Sequence, residues 1–287
     1  MRTIQRILFP VDMSENSTAA APFVRAMAQK FNAEIVMLHV LEIPPAYAAD
    51  WYGYMGLVDA DAILDARRNQ FQTYLENAFD DLKLERKALE GDPAHAITSY
   101  AQDRRVDLIM MPTRGYGVFR RLLLGSVTAK VLHDALCPVW TSVHIEDTPS
   151  VSAAPHRIMC AVDLTKSSII SMRFASLLAN DFAAKLWLVH AVPGPDAGPE
   201  KYFDPDLPAF LESEARQAIE KMMRTAGIEA QLCIGTGDVS HVVQQAALHH
   251  EAELLVLGRG HATRTLGPLR THVHSIIRLS PCPSISV

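Results

Sequence analysis

The chain has no apolar run long enough to span a bilayer as a helix, and its N-terminus enters a strand-like stretch without a signal-peptide pattern. Cysteine is scarce: four residues among 287, at positions 137, 160, 233 and 282, with no Cys-x-x-Cys pair. Such usage argues against a disulfide scaffold and for buried thiols in a reducing compartment, so a cytoplasmic location is expected. Basic excess is missing too, with 27 Lys and Arg against 32 Asp and Glu and a net charge of −5. Nucleic acid as the main partner normally demands a basic face, and this balance argues against it. No Gly-Lys-Ser/Thr closes a Walker loop, and the dinucleotide glycine spacing is absent. Neither a Ser-Gly-Gly-x-Asp-Ser loop nor a His-x-Gly-His occurs, which removes the usual marks of an ATP pyrophosphatase or a nucleotidyl transferase.

What is present is an internal repeat. Arg6-Ile-Leu-Phe-Pro-Val-Asp12 returns as Arg157-Ile-Met-Cys-Ala-Val-Asp163, and Ile35-Val-Met-Leu-His39-Val40 as Leu186-Trp-Leu-Val-His190-Ala191. Gly91-Asp92-Pro93-Ala-His95 returns as Gly237-Asp238-Val-Ser-His241, Asp107-Leu-Ile-Met-Met111 as Glu253-Leu-Leu-Val-Leu257, and Cys137-Pro138 as Cys282-Pro283. The order is kept throughout, so the chain is a tandem duplication. Each copy, near 140 residues of a 49% hydrophobic chain, is large enough for its own core. The expected division is a first domain over 1–145, a polar, proline-punctuated linker over 146–156 and a second domain over 157–287.

Each copy alternates short apolar runs with longer helical patterns. In the first, strands are expected near 4–10, 34–40, 84–90, 106–111 and 138–144, and helices near 16–31, 60–81, 94–104 and 126–135. The strand runs are almost continuous in Ile, Leu, Val and Met, as strands buried on both faces should be. Pro22 is awkward within the first helix unless that helix starts late or kinks. The class is α/β: two similar, doubly wound, parallel five-stranded sheets with right-handed crossovers. Ligands of such sheets bind beyond the carboxyl ends of the strands, where strand order reverses.

Pro112-Thr-Arg-Gly115-Tyr-Gly-Val-Phe-Arg-Arg-Leu-Leu-Leu-Gly125-Ser126-Val-Thr128 follows an apolar run and leads into a helical pattern. Helix-start N–H groups lack intrahelical partners and favour an anion, and Arg114, Arg120 and Arg121 add positive charge, so the stretch reads as a phosphate loop. Ser126 suits an N-cap or a hydroxyl donor to phosphate. A glycine at a strand end and a serine cap also occur in loops that bind nothing. Asp12 fits an Asx turn or helix cap as well as a ligand contact, and Val40 fits core packing.

The spacing of Gly115, nine residues and Gly125-Ser126 resembles the universal stress protein signature, and the likeness covers the chain twice. Pro112 stands where that signature has its first glycine, and it has no N–H to offer. The resemblance implies an adenine-nucleotide alpha-hydrolase-like fold that binds ATP, with Mg²⁺ or Mn²⁺ on the phosphates. It implies Pro10, Val11, Asp12 and Val40 on the nucleoside, and Gly115, Gly125, Ser126, Val127 and Thr128 on the phosphates, with Pro112, Thr113 and Arg114 completing the set. Family members commonly pair through their last strands. The duplicated chain is therefore expected to form a pseudo-twofold pair internally, with a homodimer also open.

In the second copy His261, Thr271 and His272 replace the two glycines and the serine, which predicts a site degenerate for ATP, while Gly258 and Asp163 leave room for a nucleoside. Histidines are numerous there, yet His249 and His250 are adjacent and His272 and His274 diverge on a helix; a metal site would need three or four to converge. His261 and His272 are the pair to test first. No general base or nucleophile accompanies the phosphate loop, so the expectation is a regulatory nucleotide binder with at most slow hydrolysis. The alternative is a scaffold that binds no nucleotide. The aromatic stretch Tyr47–Gly56 reads as a lid, a partner surface or satellite core.

Overall fold

A computed structural model describes residues 4–42, 60–113, 124–142, 153–194, 207–259 and 268–287. Arg114, Gly115, Arg120, Arg121, His261 and the stretch 47–56 lie outside the described residues, as does most of the expected linker. By compactness the chain divides between Val139 and Trp140.

The first repeat runs β1 (Arg6–Pro10), α1 (Glu15–Phe31), β2 (Glu34–Leu41), α2 (Ala60–Thr73), β3 (Leu84–Glu90), α3 (Pro93–Asp103), β4 (Leu108–Met111), α4 (Ser126–Asp134) and β5 (Val139–Thr141). Its strands lie in the order β3-β2-β1-β4-β5, and β1 pairs in parallel with both β2 and β4. The second repeat runs β6 (Arg157–Ala161), α5 (Ser168–Phe182), β7 (Lys185–Val192), α6 (Leu207–Ala226), β8 (Gln231–Thr236), α7 (Val239–His249), β9 (Leu254–Leu257), α8 (Pro268–Leu279) and β10 (Ser284–Ser286). Its order is β10-β9-β6-β7-β8, again with parallel pairing. The expected pair of α/β units is therefore present. β1, β4, β6 and β9 are almost wholly buried, which accounts for their unbroken apolar runs.

The repeated motifs have physical reasons. Gly91 and Gly237 take φ of 129° and 131°, a region that favours glycine, and the aspartate after each caps a helix. Asp92 Oδ1 accepts from His95 N at 2.9 Å, and Asp238 Oδ1 accepts from the Ser240 hydroxyl at 2.8 Å and from His241 N at 3.1 Å. These bonds, led by the His95 N–H for Asp92 and the Ser240 hydroxyl for Asp238, hold both carboxyls below their ordinary range. A depressed folded pKa contributes stability at neutral pH that is lost as pH falls through it. The lower melting temperature expected for Asp238→Ala at pH 7 should therefore converge on wild type below about pH 4. Thermal melts across pH check this; a gap that stays constant to pH 2 would show that the carboxylate charge is irrelevant to the cap.

Asp107 and Glu253 correspond as well. Each carboxylate accepts two backbone N–H groups at the start of its repeat, from Gln5 and Arg6 and from His156 and Arg157. Burial pushes the Cys160 and Cys282 thiols up to about 12, so both are inert in the folded chain. Cys137 and Cys233 are only half-buried, a departure from the expectation of buried thiols.

Helix α1 runs from Glu15 to Phe31 as expected, with Pro22 exposed inside it, and the next helix departs from expectation. Helix α2 stops at Thr73, not 81; Leu75 takes φ 52°, and turn bonds such as Ala78 N to Leu75 O, 3.1 Å, follow. Within these turns Phe79, 1% exposed, meets the Phe9 ring edge-on at 6.2 Å. Arg25 holds the corner from outside, donating to the Ala78 carbonyl at 2.6 Å and pairing with Asp81.

Candidate functional site

In the order β3-β2-β1-β4-β5 the connections change direction between β1 and β4, so that gap is the switch point of the first repeat. Pro10 ends β1 there, and Asp12 leaves it. Asp12 Oδ1 accepts from Ser14 N at 3.0 Å and from the Ser17 hydroxyl at 2.7 Å, while Ser14 caps α1 by accepting from Ser17 N at 3.2 Å. The Asx-turn reading of Asp12 is thus realised through one oxygen. Oδ2 makes no protein hydrogen bond among the described residues. Met13, between Asp12 and Ser14, is buried and held at φ 63°, a left-handed conformation that costs a residue of this size about 1–2 kcal/mol. Val40, one residue before the carboxyl end of β2, is half-buried.

Across the gap, β4 runs into the buried Pro112 and Thr113. Thr128 Oγ1 donates to the Pro112 carbonyl at 3.1 Å, and Gly125 N donates to the Thr113 carbonyl at 2.9 Å. Those two donors are committed to the loop's own closure. The N-cap of α4 is Gly125, not Ser126, because Ser126 already has helical geometry; a glycine cap offers no side-chain acceptor. The first-turn N–H groups of Ser126, Val127 and Thr128 are left without an intrahelical or capping partner, at the positive end of the helix dipole. The fold uses the carbonyl of Pro112.

The second repeat copies the turn and not the opening. Asp163 Oδ1 accepts from Thr165 N at 3.0 Å and the Ser168 hydroxyl at 2.6 Å, but the residue is buried. Pairing between β1 and β4 stops at Leu8↔Ile109, whereas pairing between β6 and β9 continues two rungs further, to Ala161↔Leu257. Pro10 has no N–H for the next rung, and its counterpart Ala161 has one. Helix α8 begins at Pro268, so Thr271 and His272 lie within it, and the N–H groups matching those of Ser126 to Thr128 are spent on intrahelical bonds. No group of three or more His, Cys, Asp or Glu able to hold a metal occurs among the described residues.

The sequence matches the model of the universal stress protein family twice, over residues 3–142 and 155–287. The chain belongs to the universal stress protein family. A universal stress protein of Methanocaldococcus jannaschii is 30% identical over 136 residues, 47% of this chain and 79% of the relative. One from Thermus aquaticus is 32% identical over 133 residues, 46% of this chain and 94% of the relative. Each matches about half of this chain, as expected for a tandem pair. The crystal structure of a universal stress protein from Archaeoglobus fulgidus superposes over both repeats, with TM-score 0.70 and 22% identity, covering 99% of this chain and 96% of that one, a likeness of fold. No helix among the described residues is long and apolar enough to cross a membrane.

His39 and His190 lie inside β2 and β7. Their Nδ1 atoms lie 2.8 Å from the carbonyl oxygens of Val11 and Val162, the residues before the two site aspartates. A polar residue recurring at one position of an otherwise apolar run, in both repeats, was the available signal.

Proposed function

We propose that the first repeat binds an adenine nucleotide, ATP with Mg²⁺ or Mn²⁺ on its phosphates, and that the second is a pseudo-site. The protein then serves as a cytoplasmic stress-response regulator rather than a dedicated catalyst. The observation that carries this reading is the asymmetry of the two switch points: unpaired early and faced by free first-turn N–H groups in one, paired further and closed by a longer helix in the other. The donor set fits the ligand. Ser126, Val127 and Thr128 would take phosphate oxygens through their N–H groups, and Asp12 Oδ2 would take a ribose hydroxyl, with Pro10, Val11 and Val40 along the nucleoside. Pro112, Thr113, Arg114 and Gly115 complete the loop. The hydroxyl of Thr128, tied to Pro112, is left out of this role.

Calorimetric titration with ATP and Mg²⁺ tests the reading. The expected result is one site per chain. Two sites would overturn the pseudo-site, and no binding at millimolar ATP would leave the scaffold alternative.

A further inference from the structure

His39 is a buried imidazole where the strand's neighbouring positions are apolar. It is 4% exposed, its Nδ1 contacts the Val11 carbonyl, and its Nε2 has no partner. A carbonyl only accepts, so Nδ1 carries the proton and Nε2 turns an unused lone pair to the interior. That unpaired acceptor carries a desolvation penalty a leucine would avoid. What the imidazole supplies, and a leucine cannot, is the bond to Val11.

This bond takes the place of a rung of the sheet. The Leu38 carbonyl faces β1, accepting from Val11 N at 2.8 Å, and the Leu41 carbonyl faces the β3 side, accepting from Gly91 N at 3.2 Å. Backbone directions alternate along a strand, so the N–H of Val40, two residues after Leu38, also points toward β1. One more rung would join it to the Val11 carbonyl. His39 Nδ1 bonds that carbonyl instead, the pairing ends at Pro10↔Leu38, and the Val40 N–H has no acceptor among the described residues. The second repeat does the same: Val162 N donates to Val189 O at 2.9 Å, His190 takes the Val162 carbonyl, and pairing ends at Ala161↔Val189.

We propose that His39 is a positioning residue: by holding the Val11 carbonyl it keeps the Val40 N–H out of the sheet and presents it to an acceptor nitrogen of a purine base. The inference rests on the nucleotide reading of the first repeat. His190 holds the backbone in the same way in the second, where the phosphate side is closed.

Two variants separate the roles. His39→Leu keeps bulk and loses the donor; His39→Asn restores an N–H near the place of Nδ1. In the wild type and His39→Asn the Val40 amide should exchange rapidly with solvent; in His39→Leu it should slow at least tenfold as the rung closes. Binding of ATP and of adenosine should weaken about tenfold in His39→Leu, the effect of one ordinary hydrogen bond. Inorganic tripolyphosphate should bind as before, which a general loss of structure would not permit. A protected Val40 amide in the wild type overturns the proposal, as does equal weakening of ATP and tripolyphosphate, or no change in either. If the wild type binds no nucleotide, the purine assignment falls with the nucleotide reading, and amide exchange still decides the backbone role. Should His39→Leu not fold, His190→Leu read at the Ala191 amide provides the same exchange test, with ATP binding in the first repeat as its unchanged control.

Discussion

Replacing Gly125 with glutamate is expected to abolish ATP binding, raising Kd at least a hundredfold, without loss of fold. Gly125 has φ −56° and ψ 142°, angles any residue adopts, so the substitution introduces no backbone strain. A carboxylate at the N-cap of α4 also suits the helix dipole, which favours negative charge there. The same placement puts that charge against the incoming phosphates. Two unit charges about 4 Å apart repel by about 4 kcal/mol near a protein surface, and ATP carries several, so even a strongly screened repulsion exceeds a hundredfold. Thr271→Glu is the matched control: position 271 lies within α8, in the repeat proposed to be closed, and ATP binding should be unchanged. Calorimetry on both variants, with thermal melts to verify folding, decides the matter. A folded Gly125→Glu that binds ATP like the wild type would falsify the placement of phosphates at this helix.

Phe79→Ala is expected to destabilise the first repeat by about 3–5 kcal/mol, the range for deleting a buried aromatic ring. Phe79 is essentially inaccessible, and its edge-to-face contact with Phe9 joins the corner after α2 to the strand that ends at Pro10, two residues before Asp12. The loss should therefore appear in ATP affinity as well as in the urea midpoint, since Phe9 lies one residue before Pro10. A cost below about 1 kcal/mol would mean that the corner relaxes around the cavity and is not part of the core.

Much of this was legible in the residues alone. Spacing located the duplication, because copied strands and caps preserve the order of Asp12 and Asp163, Asp92 and Asp238, and Asp107 and Glu253. Continuous apolar runs marked the buried strands, and Gly-Asp marked the two capped helices, since only glycine is at ease at φ near 130° and aspartate satisfies the next turn. These are local rules, written in consecutive residues.

The misread features share a different origin. The helix expected to reach 81 ends at 73, and the turns that follow carry Phe79 against a ring distant in sequence, Phe9. Ser126 resembles a cap in sequence, yet the Thr113 carbonyl takes the Gly125 N–H and sets where α4 begins. The two strand histidines carry no signal of their partners in sequence, and only the fold brings the Val11 and Val162 carbonyls to their Nδ1 atoms. By itself, the sequence determined the family, the duplication and the order of elements, since each follows from local pattern. The sequence also marked the second phosphate loop as the altered one; that β1–β4 pairing ends two rungs before β6–β9 pairing appears only in the tertiary structure, because it depends on hydrogen-bond partners about 100 residues apart.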